Sequence, residues 1–366
     1  MPKSVLESIV THLQLEQQIG GYEAADRSQQ AIEHFYEAAA NLIGCSPYEI
    51  AFTENASRAW DMAFYSIPFN AGDRILVSTS EYASNYISLL QIAKKKELSI
   101  EVIPNDAFGQ VSIEAFCESF DERVKLVTLP HIPHNSGLIN PVVEVGRLIR
   151  ATDAFYILDA CQSAGQLPID VDHIGCDMLI TAGRKYLRGP RGTGFLYVRQ
   201  NVITQLEPPF LDIHAAQWVT KETYKIRSDA RRFETWEVNY AAKIGLGVAI
   251  DYALQWGIDA IWAYISLLAY QLRTRLSEIP EITLLDLGEN HCGIVTFNIH
   301  GRDPESIRLS LTTYNINVSV STKSLVLLDM ENRGIPSLIR ASLHYYNTTE
   351  EVDYFCEVLL SLIKKG

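Results

Sequence analysis

Apolar residues recur at two different periods along this chain. Residues 3–18 and 27–43 carry the helical one; in the second, Ile32, Phe35, Ala39 and Ile43 fall three or four apart. Gly20-Gly21-Tyr22-Glu23 predicts a break between these two helices. From residue 49 the period shortens. Short β-rich runs at 50–53, 74–78, 99–103, 125–129, 155–159, 178–181 and 194–198 are separated mostly by helical segments. That alternation predicts an α/β fold with a largely parallel sheet wrapped by helices. Sheets of this kind place their sites at the C-terminal ends of the strands.

After about residue 205 the pattern changes. Leu206-Glu207-Pro208-Pro209 breaks it, and an Arg-rich loop follows from Arg227 to Glu237. Residues 239–277 read as long helices, clearest over 259–276. The last stretch, 282–365, mixes strands at 294–299, 317–320 and 338–343 with helices at 305–314 and 349–364. The predicted organisation is a large α/β domain over 20–240. Residues 1–19 and 241–366 form a smaller α+β domain with linking helices, helix 3–18 packing beside the C-terminal module. A chain of 366 residues is long enough for both cores.

Composition narrows the function. Hydrophobic content of 47% and charged content of 20% are globular values. No apolar stretch is long enough to span a bilayer, and Met1-Pro2-Lys3-Ser4 leads straight into an amphipathic pattern with no signal region. The expected location is the cytoplasm. A net charge of −13 argues against nucleic acid or an anionic membrane as partner. The six cysteines are scattered without metal-ligand spacing and read as reduced thiols, with no metal site.

Chemistry concentrates where two apolar runs end. One is Ile157-Leu158-Asp159-Ala160-Cys161-Gln162. The other leads into Ala182-Gly183-Arg184-Lys185-Tyr186-Leu187-Arg188-Gly189-Pro190. An aspartate and a lysine at the ends of neighbouring buried strands are the two contacts that pyridoxal 5'-phosphate (PLP) most needs. The lysine forms a Schiff base, and the acid pairs with the protonated pyridine nitrogen. The glycines around Lys185 let backbone approach a ligand closely. Gln162, one turn beyond Asp159, could meet the cofactor's 3-hydroxyl. A phosphate needs a helix N-terminus with small polar residues, and Phe52-Thr53-Glu54-Asn55-Ala56-Ser57-Arg58-Ala59 offers one; an ordinary N-cap would look the same. Arg184 is a second candidate phosphate partner. Arg340, inside the apolar run 338–343, suits either a substrate α-carboxylate or a buried ion pair. In Leu129-Pro130-His131-Ile132-Pro133-His134-Asn135, the loop that follows a buried strand would face the same pocket, with His134 and Asn135 as candidate cofactor contacts. His173, His291, His300 and His344 read as structural or surface residues.

Together these segments resemble the class V aminotransferase family of fold-type I PLP enzymes. It includes cysteine desulfurases, selenocysteine lyases, epimerase-like proteins and ergothioneine-type C–S lyases. The likeness runs over essentially the whole chain, strongest at Asp159/Gln162, at Lys185 and at Arg340-Ala341-Ser342 with Tyr346-Asn347-Thr348. It implies Lys185 as Schiff-base lysine, Asp159 on the pyridine nitrogen, Gln162 on the 3-hydroxyl, Ala56 and Ser57 at the phosphate, and Arg340 on the substrate carboxylate. It also implies a homodimer with a shared active site. Arg232-Phe233-Glu234-Thr235-Trp236-Glu237 corresponds to the segment that reaches a partner's cofactor, with Trp236 as its candidate contact.

Departures from the desulfurase pattern are specific. Desulfurases carry a nucleophilic cysteine shortly before the carboxylate-binding arginine, and the stretch Asn317 to Pro336 has none. A persulfide mechanism needs a thiolate there. Arg184 stands where they have a histidine, and Tyr82 occupies the place of their ring-stacking histidine. Relatives also carry a further N-terminal segment lining the substrate pocket; this chain starts where that segment would end. The resemblance therefore implies a PLP enzyme acting on an α-amino acid through an external aldimine, chiefly as a C–S (β-elimination) lyase on a cysteine-derived substrate. Transamination or epimerisation is the alternative, and a non-catalytic PLP-fold protein the second.

Overall fold

The computed structural model describes residues 1–364. Seven strands build the large sheet: β1 (Ile50–Thr53), β2 (Arg74–Ser78), β3 (Ser99–Ile103), β4 (Val124–Pro130), β5 (Phe155–Asp159), β6 (Met178–Ile180) and β7 (Gly194–Val198). Their order is β1-β7-β6-β5-β4-β2-β3. The pairs from β3 through β6 are parallel, while β7 runs antiparallel to both β6 and β1. All seven runs expected from the sequence are strands, within a residue at each end. They are legible because strands buried on both faces are apolar throughout. Along β5, Tyr156 and Leu158 enter the core on one face, while Phe155 and Ile157 enter the core on the other. Fully burying side chains of this size stabilises the fold by about 1.5–3 kcal/mol each.

Helices α1 (Lys3–Ile19), α2 (Gly21–Arg27), α3 (Gln29–Ile43), α4 (Ala56–Phe64), α5 (Ala83–Lys96), α6 (Ile113–Ser119), α7 (Val142–Ile149) and α8 (Val171–Ile174) precede or separate these strands. The break before α2 is narrower than expected. Gly20 alone turns the chain, at φ 99°, and Gly21 to Glu23 already belong to the next helix. A hairpin, β8 (Ala216–Thr220) with β9 (Thr223–Ile226), follows the large sheet. Only irregular chain was expected there. Trp218, Val219 and Tyr224 on it are exposed, so it lacks the one-sided burial that marks a strand in sequence.

Two long helices, α9 (Tyr240–Trp256) and α10 (Ile258–Ser277), lead to a second, four-stranded antiparallel sheet in the order β10-β11-β13-β12. Its strands are β10 (Ile282–Leu284), β11 (Ile294–Ile299), β12 (Ser319–Thr322) and β13 (Ser337–Ser342). It is accompanied by α11 (Pro304–Thr312), α12 (Leu327–Asn332) and α13 (Thr349–Lys364). Phe297, Ile339, Leu272 and Phe355 meet in its core. Helix α9 packs against α3 and contributes Leu246 and Ile250 to the core of the large sheet. Helix α1 lies along α9, with Ile9 against Gly245, and not against the second sheet as expected. Gly245 explains this choice: a Cβ there would come 2.6 Å from Ile9, so the missing side chain lets the two helices meet. Among the described residues no helix is long and apolar enough to cross a membrane, and no His, Cys, Asp or Glu cluster could hold a metal.

Candidate active site

A cavity of about 240 Å³ opens at the C-terminal ends of β4, β5 and β6. Its wall includes Ala56, Ser57, Tyr82, His134, Asp159, Gln162, Arg184 and Lys185. Eight residues expected to act together from separate parts of the sequence thus share one surface. Asp159 ends β5, and Lys185 follows β6 in the loop that turns back into β7. Because Asp159 pairs with Ile180, the pleat of two adjacent strands sets where both approach the cavity. Gly183 keeps the lysine loop tight. Its N–H donates to Thr193 O at 2.9 Å, and its carbonyl accepts from Gly189 N at 2.7 Å. A Cβ on Gly183 would stand 2.2 Å from Thr193 Oγ1.

The oxygens of Asp159 are fixed by neutral donors. Oδ1 accepts from Cys161 N at 2.9 Å and Oδ2 from Asn85 Nδ2 at 3.2 Å. Asn85 lies one turn into α5 and also lines the cavity. Sequence reasoning did not single it out; its amide also donates to Glu81, just before the helix, at 2.9 Å. At the other end, Asn55 caps α4 by accepting from Arg58 N at 2.9 Å. The N–H groups of Ala56 and Ser57 belong to the first turn, where an anion is favoured. Arg184, Gly192 and Thr193 complete that end.

Arg340 enters from the second sheet, on β13 between Thr296 of β11 and Ser319 of β12. It is buried and takes part in no ion pair among the described residues. Nη1 donates to His134 Nδ1 at 3.3 Å and Nη2 to Gln162 Oε1 at 3.3 Å, while the buried Nε has no partner. His134 is pushed down to about 3, first by burial and then by Arg340, Lys185 and Arg184. It is therefore a neutral ring whose Nδ1 lone pair faces the guanidinium. Tyr82, at the N-cap of α5, sets its ring 5.6 Å from that of His134 at 48°.

Two expected contacts lie elsewhere. Asn135 is fully buried and donates to Asp329 Oδ2 at 2.7 Å, tying the loop after β4 to α12 and leaving the cavity wall to His134. Trp236 is half exposed, its N–H donating to Asp212 at 2.7 Å, and it does not line the cavity of its own chain. His131 is buried behind the site, with its N–H on Asp159 O.

The helix N-terminus and the Asp159–Lys185 pair could hold the phosphate and ring of PLP, and the orphaned Nε of Arg340 leaves a donor free for a ligand carboxylate. A family model described as aminotransferase class-V matches residues 1–355. The chain belongs to the class V aminotransferase family. It is a PLP-dependent enzyme of fold type I. A probable cysteine desulfurase of Methanothermobacter thermautotrophicus is 31% identical over 358 residues, covering 95% of this chain and 87% of the relative. A probable cysteine desulfurase of a Synechocystis species is 29% identical, covering 99% and 88%. The solved apo cysteine desulfurase of Thermococcus onnurineus has a TM-score of 0.92 at 28% identity, over 100% of this chain and 92% of that one. The cystine C–S lyase C-DES, solved with its product cysteine persulfide, has a TM-score of 0.88 at 22% identity, over 98% and 93%. At that identity the second structure speaks for the fold alone.

Proposed function

We propose that this family member is a C–S lyase. It would eliminate sulfur from the β-carbon of a cysteine-derived α-amino acid without parking that sulfur on a cysteine of its own. The observation that carries this reading is Arg340, a buried guanidinium without an acid, held against His134 and Gln162 of the wall of the cavity that Lys185 and Asp159 share. An isolated buried charge is costly, and a ligand carboxylate is the partner its planar fork best accommodates.

When bound, PLP supplies an electrophilic carbonyl for the amine and an electron sink for the α-carbon. The residues divide the remaining work. Lys185 Nζ would hold the cofactor and, when free, would be the base for the α-proton. Asp159, braced by Cys161 N and Asn85, keeps a proton on the pyridine nitrogen. Gln162 meets the 3-hydroxyl, and Ala56, Ser57 and Arg184 hold the phosphate. His134 stays neutral, so Arg340 keeps its charge for the substrate.

A thiol suited to accept the sulfur is missing from the cavity wall. Cys161 reaches it, but burial, and next Asp159, push its thiol far above the ordinary value. The backbone between β12 and α12, where desulfurases carry their nucleophile, reaches the cavity rim: Leu325 O accepts from Ala83 N at 2.9 Å, beside Tyr82. The residues just before Leu325 are Thr322, Lys323 and Ser324, none of them a cysteine.

We also propose a homodimer in the cytoplasm. Phe210, Ile213, Trp218, Val219, Tyr224 and Trp236 are all exposed, and Phe210 stacks under Arg58 of α4 at 4.9 Å, beside the phosphate end of the cavity. An apolar surface of this kind suits a second copy that covers the cofactor. The cysteines are unpaired among the described residues, which suits a reducing compartment.

The test is to supply L-cysteine, L-cystine and S-alkylcysteines to the PLP-loaded protein, then quantify pyruvate, ammonia and alanine and weigh the intact protein. Pyruvate and ammonia without protein-bound persulfide are expected. Alanine with a persulfide adduct would establish desulfuration instead. Amino transfer to a 2-oxo acid would establish the aminotransferase reading, and inversion at the α-carbon the epimerase one.

A further inference from the structure

Behind Asp159 stands a second buried carboxyl that the mechanism above does not use. Glu81, between β2 and α5, is 3% exposed. Its Oε1 accepts from Asn85 Nδ2 at 2.9 Å and from Tyr82 N at 3.1 Å. Its Oε2 is 3.5 Å from Thr128 Oγ1 of β4. All three donors are neutral. The charged group acting on Glu81 is Asp159, from β5. Asn85 Nδ2 thus lies between two carboxyls, 2.9 Å from one and 3.2 Å from the other.

We propose that Glu81 is a positioning residue for the cofactor's pyridine nitrogen: it aims the Asn85 amide at Asp159, and its own charge state sets how strongly Asp159 holds the nitrogen's proton. The inference rests on the reading of Asp159 as that nitrogen's partner. A role in holding the turn before α5 would require only the Tyr82 N–H bond. The geometry contains more, because the same oxygen that accepts from Tyr82 N also fixes the one side chain, among the described residues, that donates to Asp159 Oδ2.

The sign follows from Coulomb's law. An ionised Glu81 adds negative potential around Asp159 and the ring nitrogen, which favours the pyridinium proton. A protonated Glu81 withdraws that help. Burial above all, with Asp159 adding to it, raises Glu81 to about 7, so the change falls within the working range of an enzyme. Tyr82 N, Asn85 and Thr128 oppose the rise. His131, also at the end of β4, is pushed down to about 4 by burial and stays neutral throughout that range.

The experiment uses the holoenzyme loaded with PLP carrying ¹⁵N at the ring nitrogen, followed by NMR from acid to mildly alkaline pH. The wild type should show a shift of the ring-nitrogen signal toward the pyridinium position as pH rises through Glu81's ionisation. Glu81→Gln should abolish that step and leave the signal at one pH-independent position on the less protonated side. Asn85→Ala, which cuts the link in its middle, should shrink the step and serves if Glu81→Gln does not fold. Asp159→Asn is the control for the underlying reading. If it leaves the signal unmoved, Asp159 is not the nitrogen's partner and the reading itself fails. If Asp159→Asn moves the signal while Glu81→Gln and Asn85→Ala retain the wild-type step, only the Glu81 inference is overturned. A Glu81 that merely holds the turn before α5 would lower the melting temperature on substitution and leave the ¹⁵N titration unchanged.

Discussion

Lys243 and Arg340 are both buried cations, and they sit in opposite surroundings. Lys243, on α9, donates to Tyr36 OH at 2.6 Å and lies 4.0 Å from Glu234. Glu234 in turn accepts from Tyr36 OH at 2.8 Å, from Phe52 N at 2.8 Å and from His214 at 3.1 Å. Burial pushes Glu234 up, but Lys243, His214 and the Phe52 N–H more than reverse it, leaving it below its ordinary value. That cluster is complete within the chain. Arg340 has a neutral ring, an amide and an unpartnered Nε. The first arrangement joins α3, β1 and α9; the second is finished only by something that arrives. Burial of a charge does not by itself distinguish structure from function, whereas the presence or absence of its counter-ion does.

Removing each cation should separate the two roles. Lys243→Met leaves Glu234 buried without its cation and should cost about 3–5 kcal/mol of stability, read as a lower urea midpoint, with kcat/KM of the folded enzyme unchanged. Arg340→Met should do the reverse. Its loss of a charged clamp should lower kcat/KM by on the order of 10²–10³-fold, while the urea midpoint holds or rises because an uncompensated buried charge is gone. If Arg340→Met destabilised the protein as much as Lys243→Met does, the contrast would collapse.

Per residue and pH unit, the smallest expected effect is on pH dependence. His131, His134 and His344 are held at about 4, 3 and 3, chiefly by burial. Below the ordinary histidine value of 6.5 the unfolded chain therefore binds more protons than the folded one at these sites. Stability should fall with acid by about 1.4 kcal/mol per pH unit for each such histidine. Glu81 acts against this. Its raised value makes the folded state bind the extra proton between 4.5 and about 7, so its contribution is lost as pH rises through that window. Urea midpoints from neutral pH to pH 4.5 should fall, and Glu81→Gln should steepen the fall.

The large sheet and the cavity's principal residues were legible because each rests on a local pattern. Apolar runs such as Phe155 to Leu158 must be buried on both faces, and a strand end is where Asp159 and Lys185 would have to be. What escaped depends on contacts distant in sequence. Asn135 was expected beside His134 in the cavity, but Asp329, 194 residues away, draws its amide into the interior away from the cavity. Helix α9 has apolar residues nearly all round, a pattern consistent with burial anywhere, and only its contact with α3 assigns it to the large sheet. Hairpin β8–β9 has exposed side chains along both strands, so no one-sided apolar face announced it.

The parts of the cavity are held to different tolerances. Asp159 and the loop carrying Lys185 belong to adjacent strands of one hydrogen-bonded ladder. The spacing between the two anchors proposed for the cofactor is therefore as invariant as the sheet itself. Arg340 is mounted on another sheet, and its alignment depends on how the two bodies seat against each other. Mutations deep in that seam, far from any reacting atom, can misalign the substrate's carboxylate while the coenzyme remains perfectly placed. Such variants would keep their yellow colour and lose their turnover.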